Sequence, residues 1–229
     1  MARARRFVAE GGYCGMPDRR TTRWLLTGGV IGPILFVVVL LVEGWTRADY
    51  DPMRMFGSLL SLTNQGWQQI ANFIIGGSLI FGGAVGLRAA MRDGPGSKWG
   101  PRLIGLAGLG LMAAGVFVTD PCCGYPPGTP QGMAANPTVT GTIHDLISLI
   151  IFFGLAIAMV VMARRFRGEG DGSRWAIYSR LSAAGSLAFL FAALAFTDVT
   201  GLLQRIAIVL ALGWVAQVMW RFRRGMDAA

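Results

Sequence analysis

The stretch WQQIANFIIGGSLIFGGAVGL, residues 67–87, runs for 21 residues without a charge. At 1.5 Å per residue a helix of that length covers about 31 Å, enough to cross a bilayer's hydrocarbon core. Upstream, residues 24–42 form a second uncharged run, of 19 residues. Downstream lie four shorter apolar runs, 103–118, 146–163, 181–196 and 206–220, each of which needs its flanks to span. The chain therefore reads as an all-α polytopic membrane protein, a bundle of six transmembrane helices.

Composition supports this: 53% of residues are hydrophobic and only 14% charged, which is not the balance of a soluble domain. The net charge of +9 does not point to nucleic acid, because the basic residues flank the apolar runs instead of forming one soluble face. They are also unevenly divided. Of 21 Lys and Arg, all but Arg47, Arg54 and Arg205 fall in the N-terminal arm, the second and fourth links and the tail. The positive-inside rule then places both termini in the cytoplasm of a multi-pass plasma-membrane protein. A basic arm is predicted over 1–22 and a membrane domain over 23–222, with spans at about 24–43, 67–89, 102–119, 143–163, 177–197 and 202–220. A short tail, 223–229, follows. The 24–42 run is too long for the core of a cleavable signal and reads as an uncleaved first span.

The links are short. RDGPGSKWGPR (92–102) and RRFRGEGDGSRW (164–175) are Gly-rich and charged, as hairpin turns at a membrane surface should be. Gly28 with Gly32, Gly82 with Gly86, and Ser182 with Ser186 are small pairs four apart that favour close helix contact. Pro33 should kink the first span. Between spans one and two, Met53, Met55, Phe56, Leu59 and Leu60 suit a short interfacial helix. The Pro/Gly-rich loop TDPCCGYPPGTPQGMAANPTVT (119–140) is predicted to be an irregular cap over the bundle.

The outward-running spans each end in a carboxylate: Glu43, Asp120 and Asp198. A helix C-terminus disfavours an acid, so each needs a partner. Candidates stand at the start of the inward-running spans: Gln68, Gln69 and Asn72, then His144 and Asp145, then Gln204 and Arg205. Ionisable groups at a span are costly and are read as functional with a named partner, or else as an interfacial structural network. Thr142-Ile143-His144-Asp145 matches a capping box, with Thr142 as N-cap and Asp145 reaching back. Arg205 is predicted to pair with Asp198 or Asp120. His144, the only histidine, has no comparable structural explanation.

Familiar chemical motifs are few. There is no H-E-x-x-H, phosphate-binding loop, G-x-S-x-G, C-x-x-C or second histidine for a haem, so no metal and no cofactor are predicted. In the predicted topology Cys14 lies on the side opposite Cys122 and Cys123. The adjacent pair is read as free thiols or packing residues, with a vicinal disulfide or metal pair as the alternative.

Several stretches together resemble a known family. In order they are LLTGGVIGP (25–33), SLLSLTNQGWQQIANFIIGG (58–77), VFVTDP (116–121) with GYPPGTP (124–130), IHDL (143–146) and DVTGLLQRI (198–206). They resemble the bacterial membrane family called domain of unknown function 998, over roughly residues 23–223. The resemblance implies six membrane helices and supplies no activity. The adjacent cysteines depart from the family's usual pattern.

The leading expectation is an outer pocket built from Asp120, His144, Asp198 and Arg205 and lined by Gln69, Asn72 and Gln204, taking a small amphiphile or lipid headgroup. Arg205 would pair an anionic group and His144 would hydrogen-bond it. The alternatives are an intramembrane enzyme with His144 as general base beside Asp120 or Asp198, a proton-coupled transporter, and a structural membrane partner.

Overall fold

The computed structural model describes residues 17–91, 93–168 and 172–227. Most of the expected basic arm, and Cys14 with it, lies outside those residues. Six helices make up the fold: α1 Arg19–Thr46, α2 Trp67–Ala90, α3 Trp99–Val116, α4 Val139–Phe166, α5 Gly172–Ala195 and α6 Thr200–Asp227. No strand forms among the described residues, and all six helices are long and apolar enough to cross a membrane. Each helix packs mainly on its neighbours in sequence, and α6 returns against α1, closing the six into a ring.

The surface matches a bilayer. Ile31, Ile34, Val38 and Val42 project from α1 at half exposure or more, which is costly in water and costless in lipid. Tryptophans mark two levels: Trp45 and Trp67 at one end, Trp24, Trp99 and Trp220 at the other, all exposed. Trp24 and Trp45 are 21 positions apart on one helix, or about 32 Å, the spacing of two interfacial belts. The end carrying the 47–66 and 117–138 segments is called the mouth below.

Without a hydrophobic drive between helices in lipid, the ring depends on backbone approach. The tightest point lies between α1 and α2, where a Cβ built on Gly83 would sit 2.5 Å from the Cα of Gly29. The seam uses Gly29, Gly32, Gly76, Gly83 and Gly86; Gly28 and Gly82 meet only flexible leucine tips. The expected small pairs are thus shifted by one position at Gly29 and Gly83, because a four-residue spacing does not say which face of a glycine-rich helix turns inward. On α5 the interhelical contact comes from Ser179, whose Oγ accepts from Trp214 Nε1 at 2.9 Å, while Ser186 bonds within its own helix. Helix α1 is continuous through the buried Pro33. At the end away from the mouth, Arg23 pairs with Asp227 at 3.0 Å and Arg223 Nε donates to Thr27 Oγ1 at 2.8 Å, tying α1 to α6.

The segment between α1 and α2 is not an amphipathic surface helix. A short 3₁₀ helix, Gly57–Ser61, tucks Leu59 and Leu60 inside with no exposure at all. Gly83→Leu should force α1 and α2 apart at a cost of about 1–3 kcal/mol. A lowered melting temperature in detergent, against little change for Gly154→Ala, where no atom lies within 4 Å of the new Cβ, is the expected result.

Candidate functional site at the mouth of the bundle

Three arginines stand near the mouth, and each has partners within the fold, although Arg205 Nε is buried without one. Arg205, one turn into α6 and 6% exposed, donates from Nη1 to the carbonyls of Pro52 (2.9 Å), Met55 (3.0 Å) and Gly201 (2.9 Å), and from Nη2 to the Tyr50 hydroxyl at 2.6 Å. Arg47 caps α1, pairs with Glu43 at 3.4 Å, and reaches the carbonyls of Leu60 (3.3 Å) and Gln65 (3.1 Å) and Gln68 Oε1 (3.2 Å). Arg54 bonds Asp198 at the exposed rim. The expected pairing of Arg205 with Asp198 or Asp120 therefore does not form. Loop carbonyls supply the counter-dipoles a carboxylate would have given, and Asp198 turns to the nearer Arg54.

Asp120 has a different task. Its carboxylate accepts from the backbone N–H and the hydroxyl of Thr138, both at 2.7 Å. Thr138 in turn accepts from Gly141 N at 3.1 Å and is the true N-cap of α4. An acid beside a helix N-terminus is favourable, which offsets its poor placement after α3. The approach is so close that a Cβ on Gly141 would fall 2.1 Å from an Asp120 oxygen. The capping box expected at Thr142 and Asp145 is not used, since the helix starts at Val139; Thr142 donates back to the Thr138 carbonyl at 2.9 Å and Asp145 is left exposed.

His144 is 2% exposed. Its Nδ1 lies 2.7 Å from the Phe117 carbonyl and 3.2 Å from that of Ala114, at the end of α3. Carbonyls only accept, so Nδ1 carries the proton and Nε2 holds a lone pair. Among the described residues no group bonds that lone pair. Neither Asp120 nor Asp198 touches the ring, and Phe73 packs edge-on against it at 6.1 Å between ring centroids.

Two hollows meet at this histidine. A narrow inner cavity of about 60 Å³ lies within the ring, walled by apolar side chains such as Phe36, Leu111 and Leu155, with Gln69 as a polar exception. Gln69 is fully buried; its Oε1 accepts from Asn72 at 3.1 Å while its Nε2 has no partner. An outer cleft of about 340 Å³ runs between the mouth ends of α4 and α5, roofed by Met133, Ala134 and Pro137 and edged by Asp120, Asp145, Leu149 and Leu194. Ser58, His144, Ser148, Phe152 and Gln204 line both. Gln204 Oε1 accepts from Gly57 N at 2.8 Å, so that group mainly fixes the 3₁₀ helix.

Residues 30–221 match the family described as Protein of unknown function (DUF998). The chain belongs to that family. No curated protein and no solved structure matches it.

In this DUF998 protein the structure therefore gathers His144, Gln69, Gln204 and Asp120 around the two hollows, with Asn72 bonded behind Gln69, and sends Asp198 and Arg205 elsewhere. Ser148 and Ser58 escaped notice in the sequence, although Ser148 stands one helical turn after His144 and so shares its face. Arg47 and Tyr50 escaped too; the Glu43-to-Arg47 spacing of four was the available signal. Cys122 and Cys123 are free thiols with sulfurs 2.9 Å apart. The hydrogen bond between them raises Cys122, with burial adding to the rise, and lowers Cys123. No cluster of three metal-ligating groups forms among the described residues.

Tyr50 is buried against Tyr125 and shares its proton between the carbonyls of Met55 and Phe56, each at 3.0 Å. Burial pushes its phenol up to about 12 from an ordinary 10, against the opposing pull of Arg205. The neutral form is thus favoured in the fold. Its contribution is whole below pH 10 and lost as pH climbs through 12, about 2–3 kcal/mol in all. Denaturation followed between those pH values should flatten in Tyr50→Phe. Arg205→Lys should not rescue the loss seen in Arg205→Met, at least about 3 kcal/mol, because one ammonium cannot stand both among the carbonyls held by Nη1 and beside the Tyr50 hydroxyl held by Nη2. Thermal melts together with proteolysis of the 47–66 segment read both variants.

Proposed function

We propose that this membrane protein binds a small amphiphile or lipid headgroup at the mouth, with the head in the cleft between α4 and α5 and only the first apolar carbons reaching toward the narrow inner cavity. The observation that carries the reading is that His144, Ser148 and Gln204 line both hollows. Ligand sites in proteins are typically apolar concavities with a few placed polar groups, and this one grades from polar to apolar along its length. Leu149 and Leu194, exposed at the cleft's edge, offer a way in from the lipid side. The bias of Lys and Arg to the opposite end favours a plasma-membrane orientation with both termini in the cytoplasm and the mouth outside. A sensor, accessory or carrier role follows most simply.

Ser148→Phe should plug the neck between the hollows. Lipid that co-purifies with the wild type, measured by native mass spectrometry, should fall at least fivefold in the variant with its helical content unchanged. Equal retention by both proteins rules the cavity out as the binding place.

A second reading draws on the anchored imidazole. With Nδ1–H held by two carbonyls, Nε2 is oriented as a general base. It would take a proton from water as the oxygen attacks an ester carbonyl, then return it to the leaving alcohol, giving acid and alcohol. His144→Gln should then keep lipid binding while abolishing release of fatty acid from a bound ester. Unchanged release excludes this chemistry.

A further inference from the structure

We infer that the head group taken at the mouth is uncharged and hydroxyl-bearing, and that phosphate and carboxylate heads are rejected. The inference rests on the binding reading above and adds the chemical class of the ligand. Its basis is an inventory of charge and hydrogen-bonding capacity around the two hollows.

No Lys or Arg lines either hollow. The three arginines near them are occupied: Arg205 by three carbonyls and Tyr50, Arg47 by Glu43 and loop oxygens, Arg54 by Asp198. An anion entering the cleft would meet no free cation and two carboxylates, Asp120 and Asp145. Desolvating a charge under those conditions is unfavourable twice over, through lost hydration and through like-charge repulsion.

The vacant valences have a pattern. On the accepting side stand His144 Nε2 and the Asp145 carboxylate, which has no hydrogen bond among the described residues. On the donating side stands Gln69, fully buried, facing the inner cavity, with its Nε2 unpartnered, while the Ser58 and Ser148 hydroxyls, which line both hollows, can donate or accept. An orphaned buried amide is costly unless something occupies the site. A hydroxyl group both donates and accepts, so a polyol head satisfies His144 and Asp145 with its protons while a hydroxyl or ester oxygen accepts from Gln69. An ammonium satisfies the acceptors only. A carboxylate satisfies the donors only, and leaves Asp120 and Asp145 facing a like charge.

Three probes with one tail separate these cases: 1-oleoylglycerol, oleylamine and oleate, titrated at pH 8 into the full chain in nanodiscs and read by native mass spectrometry. Oleoylglycerol should bind with a Kd at least tenfold below that of oleate. Asp145→Asn should narrow that gap from both sides, improving oleate by removing a like charge and weakening oleoylglycerol by removing a carboxylate acceptor. Oleate binding as tightly as oleoylglycerol overturns the head-group assignment while leaving the binding reading intact. Tighter binding of oleylamine overturns the hydroxyl requirement and assigns the acceptors to a cation. Failure of all three to bind removes the binding reading itself, and this inference with it.

Discussion

A guanidinium at the edge of an apolar bundle has five N–H donors to satisfy and little water to help. Arg205 meets most of that demand by drawing the carbonyls of Pro52 and Met55 and the hydroxyl of Tyr50 around its two terminal nitrogens, Nε alone staying without a partner, and much of the mouth follows. The chain between α1 and α2 is pulled inward, Leu59 and Leu60 are buried as its 3₁₀ turn folds under, and Gln204, next to Arg205, holds that turn by Gly57 N. Arg47 does the same from the other side. One result is chemical: the charges that would have received an anion are spent on the fold.

Asp120 shows a related economy of position. Its place after α3 is a poor one for an acid, yet the same oxygens fix Thr138 and thereby the start of α4. That start, together with the α3 carbonyls at Ala114 and Phe117, decides where the His144 ring points. The helix that carries the site is thus positioned by groups outside that helix.

The six helices were legible because a run of some 20 uncharged residues has few other uses, and the alternation of basic loops was legible for the same kind of reason. Partner choice was not. Three acids and two basic groups at similar depth allow many pairings, and spacing along separate helices carries no information about rotation around them. Arg205 was expected to seek a carboxylate and found carbonyls, while Asp198 found Arg54 on a loop of unknown path. The cap of α4 was misplaced by four residues because Thr138 is chosen by Asp120, 18 positions away, and not by a local box. His144 kept its place in the site because nothing local explained it. Ser148 and the open amide of Gln69 belong to it only through a cavity, which no periodicity reveals.

The closed ring has a bearing on how the molecule is made. Chains emerge N-terminus first, and the seam against α1 is completed by α6, the last span to appear. Until then the lipid-facing surface is interrupted by Thr27 without Arg223, Ser179 without Trp214, and a loop whose carbonyls have no guanidinium to gather them. The polar contacts of the earlier helices are therefore completed only by the last span to appear.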